Sequence, residues 1–167
     1  MARGGRWERL GHWRLAAADY RAALARLLAE APGRGDLEEA VQRARVAGDL
    51  QPTGGTYRQT LGLALYRAGR FAEAATVAES NYSRSGLRFS SPWDRGGIDR
   101  LVLAMSWQRL GQAAAARAAL AEAIGWRAAR PDLRPDRAAA FDRLLREARS
   151  VLAEDLPDLP ADVFARE

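Results

Sequence analysis

Apolar positions in this chain recur at steps of three and four, the spacing that places them on one side of an α-helix. The first run is Leu10, Trp13, Ala17, Tyr20, Leu24 and Leu27 or Leu28, which predicts a helix from about Trp7 to Ala31. Pro32, Gly33 and Gly35 stop it. Asp36 then offers an N-cap, with Glu38 and Glu39 in the first turn, where the helix dipole favours acid. That second helix carries Leu37, Ala40, Val41, Ala44 and Ala47 and ends before Pro52. A third runs through Tyr57, Leu61, Leu65 and Ala68, and a fourth from Phe71 to about Tyr82. A fifth spans about Ile98 to Leu110, and a sixth passes through Ala116, Leu120, Ala123 and Ile124 to Trp126. Pro135 suits a first helical turn and opens a seventh, with the stripe Phe141, Leu144, Leu145, Ala148, Val151 and Leu152.

The pattern repeats. Residues 60–81, TLGLALYRAGRFAEAATVAESN, align with residues 102–123, VLAMSWQRLGQAAAARAALAEA, at an offset of 42. Leu61 falls on Leu103, Gly62 on Ala104, Leu65 on Trp107, Gly69 on Gly111, Ala74 on Ala116 and Ala78 on Leu120. Each copy reads helix, glycine, helix, and Gly69 and Gly111 supply the positive φ that such a turn requires. Self-similarity at this scale marks a stacked helical array, an architecture that usually binds other chains. The expected organisation is a loose N-terminus (1–5), one helical domain (6–154) and a C-terminal tail (155–167). Within the domain lie paired helices at 7–50, 56–82 and 98–127, an insertion loop at 83–97 and a capping helix at 136–154.

Composition narrows the choices. The 167 residues suit one compact all-α domain, and 48% are hydrophobic, much of that alanine, the best helix former. There is no cysteine, which removes disulfides, thiolate metal sites and thiol nucleophiles, and His12 is the one histidine. All 26 basic residues are arginine against 21 acids, giving a net charge of +5 and a pI near 10.5. The all-arginine usage reads as a high-GC bacterial coding bias. Basic charge of this size suggests nucleic acid or an anionic membrane, but the interleaving of signs favours a solvated mixed-charge surface. No apolar run approaches the roughly 18 residues of a membrane span, and the start lacks a signal-peptide core, so a cytoplasmic location is expected.

The strings LGLALYRAGRFAEA and LAMSWQRLGQAAAA resemble tetratricopeptide repeats. EEAVQRARVAGDLQP is similar to the back half of another, with Ala40 and Ala44 thirty-four residues before Ala74 and Ala78, the family's period. LGHWRLAAADYRAAL is also repeat-like. Ala78 and Asn81 stand where the usual pattern of such repeats has a larger and a smaller residue respectively, which predicts poorer packing for the fourth helix. Over about residues 17–127 the order of segments resembles the C-terminal repeat tails of some planctomycete-type bacterial kinase and WD-repeat proteins. The resemblance implies an all-α superhelix that binds a peptide or protein on its concave face. The first helix of each pair should line that face, exposing Gln59, Leu63, Tyr66 and Arg67 from one pair and Val102, Met105, Ser106 and Arg109 from the next. Arg67 and Arg109 are equivalent under the 42-residue offset, and two guanidinium groups there suit a peptide carboxylate or another anion, the alternative being a pair of solvated surface arginines. In the 83–97 loop, Phe89 and Trp93 are either exposed anchors for a partner or residues tucked against the array.

No catalytic set is legible. His12 has no recognisable Ser or Asp companion, Glu38 and Glu39 point apart on their helix, and no phosphate-cradling loop or metal motif occurs. The expectation is a non-catalytic interaction module without metal or cofactor. The alternatives are a basic nucleic-acid-associated helical protein, or a regulatory tail separated from a kinase or WD-repeat protein.

Overall fold

The computed structural model describes residues 36–50, 55–85 and 97–153, together with Ala17, Asp19, Arg21, Ala23 and Ala25. Those five residues are helical and fall within the expected first helix, the rest of which lies outside the described residues, as do the N-terminus, residues 86–96 and the tail. Six continuous helices, and no strand among the described residues, make the protein all-α. They are α1 (Leu37–Leu50), α2 (Gly55–Arg67), α3 (Phe71–Ser85), α4 (Gly97–Arg109), α5 (Ala113–Ala128) and α6 (Pro135–Ala153).

The boundaries follow from local chemistry. Asp36 caps α1, its Oδ1 accepting from the backbone N–H groups of Glu38 (2.9 Å) and Glu39 (3.2 Å). The two glycine turns are built alike. Gly69 has φ 74° and Gly111 φ 75°. In the first, Arg70 N–H donates to Leu65 O (2.9 Å) and Gly69 N–H to Tyr66 O (3.1 Å). In the second, Gln112 N–H donates to Trp107 O (2.8 Å) and Gly111 N–H to Gln108 O (2.9 Å). Each pair is the 6→1, 5→2 pattern that satisfies the orphaned carbonyls of a helix end through a left-handed residue. The 42-residue repeat is thus a repeat of hairpins, α2–α3 and α4–α5.

Packing runs in chain order from α1 to α5, and one apolar cluster extends from Ala40 and Val41 in α1 to Val151 in α6. Close approach depends on small residues. A Cβ placed on Gly62 would sit 3.8 Å from Val102 Cγ1 and 3.9 Å from Ala74 O, an ordinary contact distance. Gly62→Ala should therefore stabilise the protein by about 0.5–1 kcal/mol, because it lowers the backbone entropy of the unfolded chain without a clash. A chemical denaturation midpoint unchanged or lower than wild type would contradict this.

Exposed charges tie α1 to α3. The Arg70 guanidinium grips both oxygens of Glu73 (2.7 Å each) and reaches Glu38 (3.2 Å), while Arg45 adds a second contact to Glu73 (3.1 Å). These pairs are solvated and orient the helices more than they stabilise them.

The last helix does not simply extend the stack. α6 packs chiefly on α4 and only lightly on α5. Its Phe141 lies beside Gly97 at the start of α4 and stacks on Trp126 of α5, with ring centroids 5.5 Å apart and planes 30° apart. Consequently α4 has α2, α3, α5 and α6 as neighbours and is buried on all sides.

Candidate functional site

The residues expected to line an open face are, for the most part, interior. Leu63, Tyr66, Val102 and Met105 belong to the core cluster, and Gln59 and Ser106 are also buried. The physical reason is the enclosure of α4. Its run Leu101–Ser106 is buried at every position, so no side of it remains to form a groove floor. The sequence carried a signal for this: IDRLVLAMSWQ is apolar nearly all round, the mark of a fully buried helix rather than an amphipathic one. Phe89 and Trp93 lie outside the described residues.

The two arginines, by contrast, are not interior: Arg67 is half-buried and Arg109 exposed. Arg67 ends α2 and Arg109 ends α4, and both meet Tyr66. Arg67 forms a two-pronged ion pair with Glu147 of α6, one prong at 2.6 Å through Nη2 and Oε2 and the other, shorter, through Nη1 and Oε1. The Arg67 guanidinium carbon also lies 5.7 Å from the Tyr66 ring centroid, and Arg109 hydrogen-bonds the Tyr66 hydroxyl. Tyr66, Arg67 and Arg109 therefore lie together as a cradle in which Arg67 holds a carboxylate of the chain's own. A forked guanidinium–carboxylate contact of this kind combines strength with fixed geometry. Glu147 was not legible as a site residue: it lies 80 residues from Arg67, and no spacing rule links them.

Other polar features are structural. Asn81 Nδ2 donates to Asp99 Oδ2 at 2.8 Å, with both residues buried. Ala78 and Asn81, the two positions behind the expected poorer packing of the fourth helix, are both buried. Ser106 Oγ is buried with no hydrogen-bond partner among the described residues. A hollow of about 530 Å³ between α1, α2 and α3 is bounded by Arg45, Gly48, Asp49, Arg58, Leu61 and Val77, mixing both charge signs with apolar walls. Among the described residues no group of acids and histidine could hold a metal ion, and no helix is long and apolar enough to cross a membrane.

Two tyrosines titrate late. Burial, then the Asp19 carboxylate that accepts from its hydroxyl at 2.7 Å, pushes Tyr57 up to about 12. Burial also raises Tyr66, with the Glu147 charge adding to it and Arg109 and Arg67 opposing. The unfolded chain ionises these phenols near 10 while the folded chain holds their protons, so stability is intact below pH 10 and declines as pH rises beyond it. Spectrophotometric titration should show a phenolate step near pH 12 that Tyr57→Phe removes; a wild-type titration complete by pH 10.5 would contradict the Tyr57–Asp19 contact.

Compared with protein-family models, with curated proteins and with solved structures, the chain matches none.

Proposed function

We propose that the protein is a non-catalytic interaction module, a tetratricopeptide-like array that binds a segment of a partner protein in the cytoplasm. Three things support the reading: the repeated hairpins, their matched glycine turns, and the chain-order packing of α1 to α5. The observation that carries it is the cradle of Tyr66, Arg67 and Arg109, in which Arg67 already grips a carboxylate. In this account the partner brings an acidic group to the ends of α2 and α4, and α6 is the cap of the array. Arg109 is the exposed member of the cradle, so Arg109→Glu reverses its charge with little disturbance of the core. Affinity capture with wild type should retain a partner protein that Arg109→Glu loses at least tenfold. Equal retention by both would refute the cradle as the contact.

A second reading has its own observation. The outer face of α6 carries Arg143, Arg146 and Arg149, all exposed and three residues apart. Such a ridge suits the phosphate backbone of nucleic acid, and binding through it would weaken steeply with salt. A gel-shift titration at low salt with no retained duplex or single strand would dispose of it.

A further inference from the structure

We infer that α6 is a built-in occupant of a helix-binding seat, and that the partner segment is an amphipathic helix bearing one carboxylate which takes the seat in its place. The inference rests on the interaction-module reading and names its ligand. The seat is filled by one ligand of this kind, α6 itself. α6 contributes Phe141, Leu144, Ala148 and Val151 to the interior, a single apolar stripe at i, i+3, i+7 and i+10. Glu147, one residue before Ala148, enters the cradle. This is the pattern by which a helix lies in a groove, with apolar anchors for affinity and one charged contact for register.

Two features make the seat exchangeable. Among the described helices the backbone of α6 comes close only to α4 and α5, and the Arg67–Glu147 ion pair links it to α2. Its ion pairs to the body are only partly buried, Arg67–Glu147 at 18% and 26% side-chain exposure and Arg127–Asp142 at 27% and 46%. A partner helix then competes with a tethered one, and its apparent affinity is the intrinsic affinity scaled down to the fraction of chains with α6 displaced.

The test uses the full chain and a fluorescein-labelled peptide with the sequence of residues 135–153. Glu147→Ala weakens the tethered helix and leaves Arg67 for the peptide's carboxylate. Anisotropy titration should show the peptide binding Glu147→Ala at least tenfold more tightly than wild type. A peptide carrying Glu147→Arg should lose that gain. Equal affinity for the two proteins, or no binding to a Glu147→Ala chain that remains helical by circular dichroism, overturns the proposal. If Glu147→Ala does not fold, Glu147→Gln is read by the same criterion. A shift of Glu147→Ala to a stable dimer in sedimentation, with the peptide excluded, assigns the seat to a second copy and also overturns it. Peptide failure alongside a partner lost on Arg109→Glu would sink this inference and leave the interaction module standing.

Discussion

Replacing Gly97 with alanine should destabilise the protein by about 1–3 kcal/mol or more, although alanine is the better helix former. Gly97 opens α4 at the point where α5 and α6 converge. A Cβ there would lie 2.6 Å from Trp126 Cζ3 and 2.7 Å from Phe141 Cε2. Neither ring can yield cheaply. They stack on each other, Phe141 is 1% exposed, and the Arg130 guanidinium lies 4.5 Å from the Trp126 ring centroid. Moving one ring displaces the other and lifts α6 from α4. A loss of this size corresponds to a fall in melting temperature of roughly 2–12 °C for a chain of this length. Gly62→Ala, in the same chemical class, should move the other way, which makes the pair a test of local geometry rather than of glycine in general. A Gly97→Ala protein as stable as wild type would show that the three elements do not meet as described.

The second large effect concerns Asn81. Asn81→Leu keeps the size of the side chain but removes a hydrogen bond to a buried carboxylate, Asp99, which is 1% exposed. Hydrogen bonds to charged groups contribute about 1.5–3 kcal/mol, and the loss falls on the charged partner left in the interior. The double variant Asn81→Leu with Asp99→Leu removes the charge as well, so it should recover part of the loss. The coupling energy from the four denaturation curves is expected at about 1–3 kcal/mol. Additive single effects would mean that the two side chains do not meet.

Much of this architecture can be traced to particular residues. Asp36, the two turn glycines and Pro135 are local punctuation, and local punctuation acts within four or five residues. That is why the ends of α1, α2, α4 and α6 lie within a residue or two of their expected places. The fourth predicted helix stopped near Tyr82, whereas α3 continues to Ser85, because SRS contains no strong breaker until Gly86. What the pattern does not encode locally is which faces meet. The cradle of Arg67 and Arg109 was legible as a repeated pair, but its carboxylate comes from Glu147, a contact fixed only by the path of α6. The burial of Gln59, Val102, Met105 and Ser106 has the same origin. An array seen as stacked hairpins leaves one side open, and here α4 is closed in by four neighbours.

The position of α6 governs the cradle, the enclosure of α4 and the exchange proposed for its seat. Nuclear Overhauser spectroscopy on isotope-labelled protein reads that position directly. The account predicts cross-peaks from the Phe141 ring protons to both the Gly97 α-protons and the Trp126 indole ring. A well-folded spectrum with Phe141 contacts to neither would place α6 elsewhere and contradict it.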